Sequence, residues 1–221
     1  MCQDYLSSGP PDMTIVVAPE DIDFEKEKSD QEHKIENIPV PAFSAPYLET
    51  LAVYRKIAEK MPDWDTFLFH GSCVAVEGKA YLFTAKSGTG KSTHTRLWRK
   101  LLGEKAVMVN DDKPLIRVTE EGPVIYGTPW DGKHHLSANV SVPLQAICIL
   151  ERDETNHIQE ITKQEALPML IQQAYRPASA QALVKTLDLI NRMEVRLYRL
   201  GCNMDISAAQ LSYQTMKEES K

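Results

Sequence analysis

The residues best suited to chemistry in this chain lie in the run Ala85-Lys86-Ser87-Gly88-Thr89-Gly90-Lys91-Ser92-Thr93. It fits the phosphate-binding pattern Gly-x-x-x-x-Gly-Lys-Ser/Thr at every specified position but the first, where Ala85 stands in place of glycine. Gly88 and Gly90 permit the backbone turns that aim successive N–H groups into one concavity. A helix starting after them adds its free N–H groups and the positive end of its dipole. Lys91 brings a point charge to the outer phosphates, and the Ser92 hydroxyl is a ligand for Mg²⁺. Ser87, Gly88, Thr89, Gly90, Lys91, Ser92 and Thr93 are therefore the nucleotide-binding candidates, with ATP and Mg²⁺ as the expected cofactors. Alanine at position 85 is compatible with the loop where its φ is negative and not where it is positive.

Three further clusters surround the loop. Asp111 and Asp112 end the apolar run 105–110, and carboxylates at the carboxyl end of a strand beside a phosphate loop lie where ligands bind in open sheets. One acid can hold the metal, and the other can accept the proton of an attacking hydroxyl. His70 precedes Gly71 just upstream of the loop; a lone histidine at a strand end is more often structural. The stretch 126–136, Tyr-Gly-Thr-Pro-Trp-Asp-Gly-Lys-His-His-Leu, offers Trp130 to cover a site and Lys133 and His134 to meet a substrate, although a polar loop around a buried tryptophan accounts for it equally well. His134 and His135 are a poor metal pair, because neighbouring histidines rarely face one ion. His94 and Arg96, on the helix after the loop, are expected in solvent.

The elements that must position these groups follow from periodicity. The run 65–85 predicts a strand, a break at Gly71, a second strand, a turn at 77–79 and a third strand, with Val74 and Val76 sharing one face and Tyr81 and Phe83 sharing one face. Residues 91–103 predict a helix stopped by Gly103. A strand over 105–112, a hairpin over 114–130, strands over 142–152 and 156–162, helices over 163–175 and 178–193, a strand over 194–200 and a last helix near 205–217 complete the domain. Upstream, 45–62 predicts an amphipathic helix and 13–18 a strand, while the charged stretch 19–39 predicts a mobile linker or a solvated edge. The domain division expected is thus an N-terminal segment, 1–40, and a nucleotide-binding domain, 41–221. Tight-turned strand pairs flank the loop, so the fold class is α/β with a mixed sheet.

Composition narrows the partners. With 221 residues, 43% of them hydrophobic, the chain can bury a full core. Its formal net charge of −6 disfavours a nucleic-acid partner. The four cysteines, Cys2, Cys73, Cys148 and Cys202, show no metal-ligand spacing and suit a reducing compartment. No apolar run reaches membrane-spanning length and the N-terminus does not read as a signal peptide, so a cytoplasmic protein without a membrane partner is expected. Association into a homo-oligomer is compatible with all of this.

His70-Gly71, the loop Ser87-Gly-Thr-Gly-Lys-Ser-Thr93 and the pair Asp111-Asp112 together resemble the layout of HPr kinase/phosphatase, and the loop is similar to that of the ATP-dependent phosphoenolpyruvate carboxykinases. The resemblance covers roughly residues 66–152 and looks closest to compact bacterial relatives of HPr kinase. It implies a largely antiparallel mixed sheet with the loop at a strand–helix junction and flanking helices. It also implies Asp111 as general base, Asp112 and Ser92 as metal ligands, and Lys91 and His70 beside the transferred phosphate. Residues 127–136 differ from the glycine-rich signature of the bifunctional enzyme, and Leu200-Gly201-Cys202-Asn203 lacks the arginine of its C-terminal run. The resemblance therefore does not carry over phosphatase activity or HPr as substrate. The function implied is a kinase that moves the γ-phosphate of ATP to a hydroxyl of a protein, peptide or small molecule. A non-catalytic nucleotide-binding partner or sensor is the alternative. A GTPase is disfavoured by the lack of an Asn-Lys-x-Asp motif.

Overall fold

Two strands running in the same direction on either side of a third fix the geometry of the site. In the computed structural model, which describes residues 2–35, 43–132 and 134–218, β2 (Ser72–Val76) is antiparallel both to β3 (Lys79–Thr84) and to β4 (Ala106–Asn110). β3 and β4 therefore point the same way, and the segments leaving their carboxyl ends emerge at one edge of the sheet. β2 begins at that edge, which brings His70 there as well. The phosphate-type loop, the two aspartates and the histidine converge because of this topology.

The remaining strands extend the sheet. β1 (Thr66–Leu68) pairs with β5 (Leu115–Thr119), and β5 forms a hairpin with β6 (Gly122–Tyr126). β7 (Ser141–Arg152) joins two regions: its start pairs antiparallel with β6, and its later part lies parallel between β3 and β9 (Arg196–Cys202). β8 (His157–Glu160) closes that side against β9. Three parallel strands are thus framed by antiparallel ones, and the class is α/β with a curled, mixed, largely antiparallel sheet and flanking helices.

Alternation along the strands builds two cores. Tyr81 and Phe83 of β3 and Cys148 and Leu150 of β7 face one side, together with Val74 and Val76. α3 (Lys91–Leu102) and α6 (Ile206–Lys217) cover that side with Trp98, Ala209 and Met216. Leu82, Ile147 and Ile149 face the other side, under α4 (Lys163–Gln173) and α5 (Ala180–Arg192), with Leu170, Leu189 and Ile190. Each large side chain so buried stabilises the fold by roughly 1.5–3 kcal/mol relative to exposure.

The N-terminal segment departs from expectation. No strand forms over 13–18, and the stretch expected to be a linker or edge contains α1 (Pro19–Ile35), which docks on α2 (Ala45–Lys60). Proline at the first helical position and acids in the first turn favour the helix start. Ion pairs rather than an apolar stripe form its docking face. The Arg55 guanidinium meets the buried Glu25 and Asp21, Lys56 meets Asp21 at 2.5 Å, and Arg55 lies over the Phe24 ring. The sequence division at residue 40 falls outside the described residues.

Candidate functional site

β3 ends at Thr84, and Ala85 follows with its side chain 0% exposed, packed in the core cluster of Phe83 and Trp98. Its φ is not positive, unlike those of Gly88 (+75°) and Gly90 (+123°). A Cβ built on Gly88 would meet nothing within 4 Å, so backbone conformation rather than crowding requires the glycines. The alanine in place of the pattern's first glycine is accordingly a core contact. Ala85→Gly should lower stability by about 1–2 kcal/mol, through the lost methyl and the freer unfolded chain, and change ATP affinity less than about threefold because the turn does not need it. Urea unfolding and calorimetry read the two effects separately; a large gain in affinity would mark the loop as a degraded one.

Two side chains brace the loop. Arg152, at the end of β7, donates from Nη2 to the Gly88 carbonyl at 2.5 Å, and Lys91 Nζ donates to the Ala85 carbonyl at 3.3 Å. Burial pulls the Lys91 ammonium below its usual pKa, with the nearby Asp112 opposing that shift. A half-buried cation at a helix N-terminus, beside glycines of positive φ, is suited to an anion. The Ser92 hydroxyl is exposed on the first turn of α3.

Asn110, fully buried at the end of β4, organises the acids. Its Oδ1 accepts the N–H groups of Asp112 (2.8 Å) and Lys113 (2.6 Å), and its amide donates to the Thr128 carbonyl at 3.0 Å. One side chain thereby fixes both the aspartate turn and the 127–132 loop. Asp111, 4% exposed, accepts the Gly132 N–H on Oδ1 at 2.6 Å. A Cβ at Gly132 would stand 3.0 Å from Asp111 Oδ2, so this approach is tight for any larger residue. Asp112 faces the other way and meets His70 Nε2 at 3.2 Å. Gly71 donates its N–H to the Asp112 carbonyl, and a Cβ there would fall 2.7 Å from Leu82 Cδ1, so the glycine lets the segment after His70 lie close against β3. The Thr84 hydroxyl donates to the His70 carbonyl at 3.0 Å.

The two carboxylates are pushed apart electrostatically. Burial raises the pKa of Asp111, the charges of Asp131 and Asp112 add to this, and the Gly132 N–H only partly offsets it. Burial also acts to raise Asp112, but the His70 bond and the charges of Lys113, His70 and Lys91 outweigh it and leave its pKa lowered. One proton-accepting and one firmly ionised carboxylate is the kind of division that acid–base sites use.

A cleft of about 720 Å³ is lined by His70, Gly88, Gly90, Lys91, Ser92, Thr93, Asp111, Asp112 and His134. Ser87 and Thr89 lie on the loop, Ser87 exposed and Thr89 on a neighbouring cleft of about 540 Å³ across the loop. Trp130 is not among the lining residues of the main cleft. Its indole N–H donates to the Thr50 carbonyl and its ring packs on Tyr54, so α2 holds it. Lys133 lies outside the described residues. His135 pairs with Asp131 at 3.1 Å instead of joining His134. Among the described residues no group of three or more His, Cys, Asp or Glu could hold a metal by itself. Ser92 and Asp112 offer only oxygen, the donor Mg²⁺ prefers, and that ion commonly completes its shell with phosphate and water.

His94 corrects another expectation: it is 3% exposed rather than solvated. Its Nε2 meets Ser212 Oγ at 3.0 Å and its ring stands edge-on to Phe83. Burial lowers its pKa to about 4. Asn110, Gly132 and Arg152 were not singled out from the sequence. The asparagine before the acid pair was the readable signal, since such side chains hold turns two residues on.

These features define a mixed α/β domain with a phosphate-type loop at a strand–helix junction. A family model described as SynChlorMet cassette protein ScmC matches residues 46–211, and the chain belongs to that family. A search of curated proteins returns no match. Among solved structures, the HPr(Ser) kinase/phosphatase from Coxiella burnetii is similar, with 9% identity, a TM-score of 0.41, and coverage of 68% of this chain and 99% of that one. No described helix is long and apolar enough to cross a membrane.

Proposed function

We propose that the chain is an ATP-dependent phosphotransferase that moves the γ-phosphate to a hydroxyl. The observation that carries this reading is the meeting of Lys91, Ser92, His70, Asp111 and Asp112 around one cleft. In the proposed reaction the acceptor oxygen bonds to the γ-phosphorus as the bond to the β,γ-bridging oxygen breaks. The hydroxyl proton passes to Asp111, whose buried carboxylate has a raised affinity for it. Lys91 and the loop N–H groups balance charge on the phosphates, and His70 stands beside the moving group, held by Asp112. Mg²⁺, held by Ser92 and Asp112, would neutralise charge on the phosphate oxygens. The neighbouring cleft, which shares Gly88, Gly90 and Thr93 with the main one, leaves space for the nucleoside across the loop.

The test is incubation with [γ-³²P]ATP and serine-containing peptides or small alcohols. Labelled acceptor is expected with Mg²⁺ and absent with a chelator. In parallel, Asp112→Asn is expected to weaken nucleotide binding with Mg²⁺ and to have less effect without it, as calorimetry in both conditions would read. A second reading, a nucleotide-binding partner without transfer chemistry, draws on Asp111 already holding the Gly132 N–H as a loop latch. Tight Mg²⁺-ATP binding without transfer to any acceptor would favour it.

A further inference from the structure

We propose that the acceptor is an acidic peptide segment, docked along α3 by Arg96 and Arg99, an inference that rests on the kinase reading above. Arg96 and Arg99 line the same cleft as Asp111 and Asp112. Among the described residues neither guanidinium has an ion-pair partner, although the chain carries 31 acidic residues against 25 basic ones. An acidic protein that keeps two arginines unpaired in its main cleft leaves them free for an external anion.

Their placement sets the ligand's length. Ser92, Arg96 and Arg99 follow the i, i+4, i+7 stripe of one helix face, while His94, Thr95 and Trp98 turn inward. At a rise of about 1.5 Å per residue, Arg96 lies roughly 6 Å and Arg99 roughly 10 Å along the axis from Ser92. An extended peptide advances about 3.3 Å per residue and turns alternate side chains to one face, so carboxylates two and four residues from the reacting serine or threonine face the helix together, within reach of the two long arginine side chains.

The cleft also imposes a direction. Asp111 and Asp112 stand at the reacting end and would repel acids placed there, and the arginines lie further along α3. An acceptor whose hydroxyl lies at the acid end and whose carboxylates lie at the basic end satisfies both; Leu136, on the same cleft, adds an apolar contact.

Fluorescein-labelled decapeptides with a central serine and glutamates two and four residues away, on either side, test this against glutamine and lysine counterparts. Anisotropy with Mg²⁺-ADP reads binding, and [γ-³²P]ATP reads transfer. The glutamate peptide in one of the two directions is expected to bind about tenfold or more tightly than its glutamine counterpart, with the gap closing at high salt. The Arg96→Glu/Arg99→Glu double variant, on a solvent-facing helix stripe that accepts glutamate well, should reverse the preference toward lysine peptides. No glutamate preference in the wild type, an unchanged preference in the double variant, or no peptide binding at all would overturn the inference. Titration of the same wild-type preparation with Mg²⁺-ATP separates the two levels. If ATP binds and acids are not preferred, only the acidic acceptor is wrong; if ATP does not bind, the kinase reading fails.

Discussion

Asp111→Asn is expected to slow phosphoryl transfer by ~10²–10⁴-fold, the usual contribution of a positioned general base, and to leave Mg²⁺-ATP binding nearly intact. The asparagine oxygen can still accept the Gly132 N–H that Asp111 now receives at 2.6 Å, so the 127–132 loop should keep its place. Only the proton acceptor is lost. Asp112 cannot replace it, because its carboxylate meets His70 and its pKa is lowered, which makes it the weaker base of the pair. Single-turnover transfer of ³²P from [γ-³²P]ATP to an acceptor by wild type and variant reads the difference directly. Transfer at the wild-type rate would leave the two carboxylates as metal and loop ligands in a nucleotide-binding module.

Acid should destabilise the fold through His94. In the unfolded chain this ring takes up its proton around pH 6.5; in the fold, burial lowers its pKa to about 4. Between those values the unfolded state binds more protons than the native state, so stability rises with pH across the window and is lost as pH falls through it. At about 1.4 kcal/mol per pH unit the loss approaches 3 kcal/mol by pH 4, a large share of the 5–15 kcal/mol typical of a whole domain. Urea midpoints from pH 7 to 4 measure it. Acids such as Asp21, held to about 2 by the Ala18 N–H and by Lys56 and Arg55, add their own loss as pH falls below 3.8. The informative quantity is therefore the difference from His94→Phe, which keeps an aromatic ring against Phe83 and should flatten the slope between pH 6.5 and 4. An equal slope in the variant would mean another group is responsible.

The strands and helices from residue 45 onward were legible because their apolar residues repeat with periods of two or near 3.6. Val74 and Val76 do share a face, as do Tyr81 and Phe83. Parallel pairing of β3, β7 and β9 was not legible, since pairing depends on contacts distant in sequence. α1 was missed because it docks through Glu25 and Asp21 on Arg55, and pattern reading weighs apolar residues and overlooks such pairs. His94 was misread for the opposite reason. It lies four residues before Trp98 and seven before Leu101, on the apolar stripe, and its polarity was given more weight than its position. At the site, the loop, the aspartates and His70 could be chosen from residue type and spacing. The sequence could not place Trp130 against α2, nor reveal the Asn110 bonds that tie the aspartates to the 127–132 loop.

The central claim is that residues 87–93 hold a nucleotide by its phosphates, and calorimetric titration of wild type and Lys91→Ala with Mg²⁺-ATP tests it most directly. The substitution removes the half-buried ammonium that lies on the cleft with Gly88 and Gly90, and leaves the backbone N–H groups in place. Wild type is expected to bind, and the variant to bind about ten- to a hundredfold more weakly, as loss of charge-assisted hydrogen bonds to phosphate implies. No binding by wild type, or equal binding by both proteins, would contradict the account.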